Sequence, residues 1–338
     1  MVRGIQKTVG KKYIYYALCV LVGFLLGLSI YFIYRHAEVS DVIQIREDSN
    51  EYTYINPLLF IDHSENVEFK PLKKVLEDYV SYAEKSESVE DISVYFRELN
   101  SGHWTGVNEN DLYTPSSMLK VALMISYFKE EEQRPDLLSQ SLLYSWNSDD
   151  ANEGQYYKPT HNLDDGYHTI DELIHAMIID SDNVATLVLF RNNKEAFQST
   201  YNIFRLPPTA LNEFSDYMSP KSYSVLFRSL YSSTYLSRAD SEKSLELLTQ
   251  TTFQVGLVAG VPEGTMVAHK FGEHTYGEEG GEQMRELHDC GIIYKSENPY
   301  FLCVMTKGRE FSELEKVISD ISKLVFENDS TSTSIQNY

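Results

Sequence analysis

The sequence predicts an α+β protein of three layers: a five-stranded antiparallel sheet, terminal helices packed on it, and an all-helical lobe inserted between its strands. Three observations support this prediction. Alternating apolar residues indicate two strands before residue 113, three more strands follow residue 263, and helical periodicity fills most of the sequence between them. A cleft between the two lobes is where a functional site is expected.

The N-terminus is predicted to be a single-pass membrane anchor. Residues 13–34 contain no charged side chain, and as a helix they would span roughly 33 Å, about the thickness of the hydrocarbon core of a bilayer. Four basic residues and no acid precede the span, which places residues 1–12 in the cytoplasm and everything after the span outside the cell membrane. No small-x-small cleavage site follows, which argues against a signal peptide.

The charge of the chain excludes some partners. It has 29 Lys and Arg against 50 Asp and Glu, and because four of the bases precede residue 35, the remainder carries a formal charge of −25. Such a surface repels phosphates, so nucleic-acid binding is excluded. The nine histidines show no metal-binding spacing, and we predict neither a metal nor a cofactor.

The three cysteines form no disulfide framework and no zinc motif. Cys19 lies in the apolar N-terminal span. Cys290 and Cys303 fall in neighbouring predicted strands, and we interpret them as buried thiols. A disulfide between them would depend on a strand register that the sequence does not fix.

The first elements of the folded part are a helix and a hairpin. Residues 35–70 are polar without a clear period, which is typical of a linker. Apolar residues from Leu72 to Ala83 then follow the i, i+3, i+4 spacing of a helix. The segment "DISVYFRELNSGHWTGV" alternates apolar residues and turns at its Asn-Ser-Gly, which predicts a β-hairpin.

The remaining elements are a helical block, three strands and a helix. From Tyr113 to about residue 250 the pattern is mostly helical, broken by a polar loop near "WNSDDANEGQYYKPTHNLDDG", and Thr169 with Glu172 forms a capping box. The segments "TMVAHKF", "LHDCGIIY" and "YFLCVMT" predict the three strands. The closing helix is predicted to start at Ser312, with Glu315 completing a second capping box.

These elements give the predicted domain boundaries. The chain divides into a basic cytoplasmic tail at 1–12, the anchor at 13–34, a linker at 35–70, a folded domain at 71–327 and a disordered tail at 328–338. Within the folded domain, residues 71–112 and 252–327 form the sheet lobe and residues 113–251 form the helical lobe.

A single lysine interrupts the first part of the apolar run "YTPSSMLKVALMISYF". Ser117 and Lys120 share one helical face, with Cβ atoms about 5–6 Å apart. A buried lysine has a lowered pKa, so it can accept a proton and activate a neighbouring hydroxyl as a nucleophile. The alternative is a cap serine followed by a lysine that reaches water. The same spacing recurs at Ser126 and Lys129, where we predict a solvated lysine, so spacing alone does not decide.

Two further motifs accompany this pair. Ser181-Asp182-Asn183 lies in a break between apolar helices, and Lys270-Phe271-Gly272 lies at a strand end. In this order the three motifs resemble the S-x-x-K, S-D-N and K-T-G set of class A β-lactamases and penicillin-binding proteins. The segments "HTIDELIHAMIIDSDNVATLVL", "VGLVAGVPEGTMVAHKFG", "HDCGIIY" and "PYFLCVMTKG" are also similar to that family. The resemblance covers about residues 71–327.

The resemblance implies the β-lactamase/transpeptidase-like fold and a chemical role for each matching residue. Ser117 would be the acylated nucleophile, and Lys120 would accept its proton. Ser181 would pass a proton to the leaving nitrogen, and Lys270 would polarise that exchange. The substrate would be a β-lactam or a cell-wall-type peptide.

The resemblance also implies the residues that bind the substrate. Asn183 would hydrogen-bond the amide side chain of the substrate, and Asn212 matches a family asparagine in a later loop. The backbone N–H groups of Ser117 and of Glu273, which follows Gly272, would form the oxyanion hole.

Two departures from the family pattern bear on turnover. Phe271 stands where the family has Thr or Ser, whose hydroxyl helps bind the substrate carboxylate. Hydrolytic members also carry a glutamate four residues before the loop asparagine, which activates the water that releases the acyl group. In "PTALNEF" the place of that glutamate is taken by Pro208, and the nearby Glu213 is interpreted as a solvated loop residue. We therefore expect acylation with impaired deacylation.

The sequence thus predicts a membrane-anchored, extracytoplasmic serine hydrolase or acyltransferase. Two alternatives stay open: a D,D-peptidase or esterase, and a catalytically inactive binding domain of the same fold. Phe271 and Pro208 favour the inactive domain. Four intact residues oppose it, namely Ser117, Lys120, Ser181 and Lys270.

Overall fold

The computed structural model describes residues 69–145, 152, 154–206, 216–277, 283–296 and 298–328, together with Tyr16 and the short stretches 45–46, 53–54 and 58–60. The chain divides into two compact units, Met1–Val42 and Ile43–Tyr338, and the fold described below belongs to the second. The predicted membrane span lies outside the described residues except for Tyr16. Among the described residues, no helix combines the length and the apolar character needed to cross a bilayer.

The described residues form nine strands, eight α-helices and two 3-10 helices. In chain order they are β1 (Ile45–Arg46), β2 (Leu58–Phe60), α1 (Lys70–Ala83), β3 (Val89–Glu98), β4 (Trp104–Val107), a 3-10 helix (Ser116–Leu119), α2 (Lys120–Glu131), β5 (Ser141–Tyr144), β6 (Gly166–Thr169), α3 (Ile170–Ile179), α4 (Asn183–Asn192), α5 (Lys194–Ile203), α6 (Pro220–Tyr231), α7 (Arg238–Leu248), a second 3-10 helix (Leu257–Gly260), β7 (Val267–Tyr276), β8 (Met284–Ile293), β9 (Tyr300–Gly308) and α8 (Phe311–Asn328).

Five of the strands form one antiparallel sheet in the spatial order β4, β3, β9, β8, β7. The predicted hairpin is β3 with β4, and Gly102 at its turn has a left-handed φ of 77°, which glycine adopts readily. The chain leaves the sheet after β4 and returns to it at β7. The predicted five-stranded antiparallel sheet is therefore confirmed, with β7 at one edge.

The sheet separates two hydrophobic cores, because alternate side chains of a strand point to opposite faces. On one face the terminal helices α1 and α8 pack against side chains such as Phe96 and Val304. On the other face the helices between β4 and β7 pack against side chains such as Tyr95 and Met305. The result is a three-layer arrangement in which the helical block covers one side of the sheet.

The interpretation of Cys290 and Cys303 as thiols is wrong. The two residues lie directly opposite each other in β8 and β9 and form a disulfide. The strand register, which the sequence left open, decides the matter, because it brings the two Cα atoms within 4.0 Å.

Other local expectations have mixed outcomes. The capping box of Thr169 and Glu172 is confirmed at the start of α3. The box at Ser312 is wrong, because α8 begins at Phe311 and the carboxylate of Glu315 accepts a hydrogen bond from the Tyr157 hydroxyl at 2.5 Å. The antiparallel pair of β5 and β6 lies in a region that the sequence predicts as helix and loop.

Candidate active site

Ser117 lies in the 3-10 helix that leads into α2, and this helix is pressed against the edge strand β7. The preceding Ser116 has a left-handed φ of 49°, which marks a sharp change in chain direction. A Cβ at Gly272 would lie 2.6 Å from the carbonyl oxygen of Pro115 and 2.9 Å from Cγ of Met118. Glycine in the third motif is therefore needed for the close approach of the nucleophile's helix to β7.

Lys120, the first residue of α2, points into the protein and is only 3 % exposed. Its Nζ donates hydrogen bonds to the backbone oxygen of Ser181 at 2.7 Å, to Oγ of Ser181 at 3.0 Å and to Oδ1 of Asn183 at 2.7 Å. Burial lowers the pKa of Lys120 well below its usual value, and the nearby Lys270 lowers it further. The lowered pKa favours a neutral amine, in which Nζ donates only two of these three contacts and keeps a lone pair that can accept a proton.

The hydroxyl of Ser181 joins two lysines. Nζ of Lys120 and Nζ of Lys270 each lie 3.0 Å from Ser181 Oγ, and all three side chains are buried. Burial lowers the pKa of Lys270 to about 7, against the opposing effect of Asp289 and Glu273. The three groups form a buried path along which a proton can move.

The middle residue of the second motif has a structural role. Asp182 is the N-cap of α4, and its Oδ1 accepts from the backbone N–H groups of Val184 at 2.7 Å and Ala185 at 3.1 Å. Its other oxygen accepts from the Tyr144 hydroxyl at 2.7 Å. Because a capped helix start is fixed in place, Asp182 holds its neighbours Ser181 and Asn183 on either side of Lys120.

Phe271 packs in an aromatic cluster next to Lys270. Its ring stacks on Phe253, with centroids 4.2 Å apart and planes 15° apart, and meets the edge of Tyr157 at 5.6 Å. It belongs to the core under the terminal helices. Nζ of Lys270 reaches Ser181 Oγ and also lies 4.2 Å from the centroid of the Phe271 ring, so the third motif supplies a lysine over an aromatic face and no side-chain hydroxyl.

Glu273 ties a loop to the edge strand. Its carboxylate accepts from the backbone N–H groups of Tyr156 at 3.1 Å and Tyr157 at 3.0 Å. Burial raises the pKa of Glu273, while those two amides and the nearby lysines act in the opposite direction. The same loop reaches the second motif through Gln155, whose Nε2 donates to the Ser181 backbone oxygen at 3.1 Å. Sequence reasoning missed this role of the polar segment between β5 and β6.

A cavity of about 380 Å³ opens beside Ser117, within the size range of small-molecule sites. Its polar lining includes four predicted site residues and one that sequence reasoning missed, His274. Burial lowers the pKa of His274, with Glu286 and Asp216 opposing. The predicted residues that share the cavity are Ser117, Lys120, Asn183 and Glu273.

The two core histidines are not among the described lining residues of this cavity. The ring of His269 lies 2.8 Å from Asp289 Oδ1 and 2.6 Å from Thr251 Oγ1. The ring of His288 lies 3.2 Å from the backbone oxygen of Thr114. Within the described parts of the chain, no group of three His, Cys, Asp or Glu side chains is placed to hold a metal ion.

Residues 207–215 are outside the described part of the chain. This segment contains Asn212, Pro208 and Glu213, on which the expectation about deacylation rests. The place of the deacylating base therefore stays a prediction from the sequence.

The sequence profile of the Beta-lactamase enzyme family matches residues 71–328, and the chain belongs to this family. Structural similarity points the same way. PBP-A is 18 % identical with a TM-score of 0.62, and the match covers 76 % of this chain and 96 % of that one. The TLA-3 extended-spectrum β-lactamase is also 18 % identical, with a TM-score of 0.64 and coverages of 75 % and 98 %.

A third structure, the β-lactamase from Desulfarculus baarsii, is 18 % identical with a TM-score of 0.62, covering 75 % of this chain and 97 % of its own. A variant of PBP-A has been solved as an acyl-enzyme with penicillin G. Among curated proteins, none matches the sequence significantly. At these identities the structural matches establish the fold, and the family profile establishes a β-lactamase-like serine hydrolase family.

Proposed function

We propose that this protein is a serine hydrolase or acyltransferase in which a β-lactam or a cell-wall-type peptide acylates Ser117. One observation carries the proposal. Lys120, Ser181 and Lys270 form a continuous buried hydrogen-bonded path, and Lys120 lines the same cavity as Ser117. A nucleophile beside a lysine of lowered pKa is the arrangement that acyl transfer requires.

The residues support the following sequence of steps. Neutral Lys120 takes the proton of the Ser117 hydroxyl as Oγ attacks the acyl carbon. The backbone N–H groups of Ser117 and Glu273 stabilise the negative charge on the acyl oxygen. The proton then passes through Ser181, polarised by Lys270, to the leaving nitrogen. The bond from acyl carbon to nitrogen breaks, which leaves an ester on Ser117; the amine departs when the substrate is a peptide and stays tethered to the acyl group when it is a β-lactam.

Release of the acyl group is proposed to be slow. Pro208 has no proton-accepting side chain in the place of the family's glutamate. The carboxylate of Glu273 lines the cavity, and each of its two oxygens accepts a backbone hydrogen bond that holds it toward Tyr156 and Tyr157. The acyl-enzyme is therefore expected to persist.

The domain is proposed to lie outside the cell membrane, held by a single N-terminal span. The uncharged stretch of residues 13–34 and the basic residues before it support this topology. The disulfide of Cys290 and Cys303 supports it as well, because such bonds persist in oxidising compartments.

An inactive binding domain is the second candidate, and Phe271 is the observation that favours it. A buried, stacked ring cannot replace the hydroxyl that binds a substrate carboxylate. In that case ligands would bind in the cavity without forming a bond to Ser117.

Covalent labelling tests the proposal. The full-length protein and its Ser117→Ala variant are incubated with a fluorescent penicillin, and intact mass is followed for hours alongside turnover of a chromogenic cephalosporin. We expect one lasting adduct on the wild type, none on the variant, and no turnover. Absence of an adduct would overturn acylation by penicillins, and rapid turnover would overturn impaired deacylation.

A further inference from the structure

We propose that the cavity beside Ser117 is an acyl-chain site, which receives an apolar, uncharged acyl group as that group becomes attached to the serine. The inference rests on the proposed function, because it names the kind of acyl group that the same serine accepts. It concerns the acyl side of the substrate and not the leaving group.

One wall of the cavity is apolar and continuous with the nucleophile. It is built from the 3-10 helix, α2, α4 and α5, and its side chains are Leu119, Leu123, Leu187, Phe190 and Phe197. Leu187 and Phe190 are half-buried, so the wall still exposes apolar surface. An acyl chain extending from Ser117 along this wall would remove that surface from water, which is favourable.

The charged groups of the lining select against an anionic acyl group. Lys120 is engaged with Ser181 and Asn183, and burial disfavours its charged form. Glu273 presents a carboxylate, and the described lining residues include no arginine. A second carboxylate would meet repulsion here without a cation to pair with, because unpaired buried charges are costly.

The other lining groups are compatible with an uncharged ligand. They are Thr114, Ser116, Thr186, Tyr217 and His274. Burial favours the neutral form of His274 near pH 7. The lining thus combines polar groups, which suit the reacting carbonyl, with apolar side chains, which suit a hydrocarbon chain.

A series of p-nitrophenyl esters with one leaving group tests the inference. The full-length chain in lipid nanodiscs, with empty nanodiscs as blank, is treated with the acetate, the octanoate and the hemisuccinate, and acyl-Ser117 is measured by intact mass. Each methylene that becomes buried should raise the acylation rate about fourfold, so octanoate should exceed acetate more than about tenfold. The anionic hemisuccinate should be slowest. Equal rates, or a faster hemisuccinate, would overturn the acyl-chain site.

Variants on one helix provide a matched control. Leu187→Asn and Phe190→Asn place polar groups on the wall, whereas Val188→Asn changes a half-buried residue of the same helix outside the described lining. The wall variants should bring the octanoate-to-acetate ratio close to one, mainly by slowing acylation by the octanoate. Val188→Asn should leave the octanoate-to-acetate ratio unchanged. An equal decrease of this ratio in all three variants would contradict the role of the wall in binding the acyl chain.

Binding without chemistry separates the two proposals. Octanamide is offered to the Ser117→Ala variant, and saturation-transfer NMR measures its binding with and without Leu187→Asn. If octanamide binds and Leu187→Asn weakens it, while neither esters nor penicillins acylate the wild type, the acyl-chain site stands and the proposed function fails. If Ser117 is acylated but the ester rates are equal, the proposed function stands and the acyl-chain site fails.

Discussion

The Ser-x-x-Lys spacing occurs twice in one stretch of chain, and the two lysines have opposite surroundings. Lys120 is buried and donates to uncharged oxygens of the second motif. The side chain of Lys129 is 31 % exposed and forms an ion pair with Glu132 at 2.6 Å. It also donates to the backbone oxygen of Tyr235 at 2.7 Å.

The two serines differ as well. The hydroxyl of Ser126 is buried and donates to the backbone oxygen of Leu123 at 2.7 Å, whereas Ser117 lines an open cavity. The spacing brings a hydroxyl and an amine to the same helix face in both copies. What distinguishes them is burial, the charge of the lysine's partners and access to a ligand, and each of these is decided by elements distant in sequence.

The largest expected effect separates the two serines. Ser117→Ala should abolish covalent labelling by penicillin, and Ser126→Ala should leave it intact, because the Ser126 hydroxyl has no access to the cavity. Intact mass after saturating incubation measures both. Labelling that is lost in Ser126→Ala and kept in Ser117→Ala would show that the copies have been assigned the wrong way round.

The next effect separates the two lysines. Lys120→Met removes the proposed proton acceptor and should slow acylation about 10²–10⁴-fold, the usual contribution of a general base. Lys129→Met should leave the acylation rate unchanged, since that lysine lies at the surface. Stopped-flow labelling of both variants measures the difference, and equal slowing would argue that neither lysine takes part directly.

A third test uses the pH dependence of stability. The pKa of Lys270 is about 7 in the folded protein and should return to about 10.4 on unfolding, so between these values the unfolded chain binds one more proton. Stability of the wild type should therefore rise with pH in this window, by up to about 1.4 kcal/mol per pH unit from this group.

Lys270→Met lacks this titrating group, so its free energy of unfolding should not show this rise with pH. The free energy of unfolding of the variant minus that of the wild type should therefore decrease from pH 7 to pH 9. Chemical denaturation at both pH values measures it. Lys129→Met serves as the control for removing a lysine outside the site. Parallel pH profiles for wild type and Lys270→Met would contradict a lowered pKa at Lys270.

The smallest effect concerns the surface ion pair. Lys129→Met should reduce the free energy of unfolding by about 1 kcal/mol, because an ion pair that is still partly exposed to solvent contributes little. Denaturation at low and high salt measures the loss, which salt should diminish. A salt-independent loss of several kcal/mol would mean that Lys129 contributes more to the stability of the fold than its exposure indicates.

Local patterns predicted much of the fold. The five strands of the main sheet, the β3–β4 hairpin and the capping box at Thr169 depend on residues close in sequence, and the structure confirms them. The buried Lys120 could be anticipated because the second motif supplies its hydrogen-bond partners. What could not be predicted depends on contacts across the chain.

Three examples show this limit. The disulfide of Cys290 and Cys303 follows from a strand register. The predicted capping box at Ser312 is absent because the hydroxyl of Tyr157, which is distant in sequence, donates a hydrogen bond to Glu315. The direction of Phe271 follows from the pleat of β7 and its stacking on Phe253. The apolar wall of the cavity beside Ser117 is formed by side chains from four separate elements, and no short sequence pattern predicts that these side chains come together.

The backbone conformations of Ser116 and Ser181 reduce the conformational stability of the protein. Both have left-handed φ values, 49° and 57°. In this region a residue with a side chain has a conformational free energy higher by on the order of 1–3 kcal/mol, whereas glycine adopts it readily. A screen for heat resistance alone would be drawn toward glycine at these positions. Glycine at Ser181 would remove the hydroxyl between the two lysines. Stability and catalysis therefore place opposite demands on this residue, and stabilising substitutions should be made at other positions of the fold.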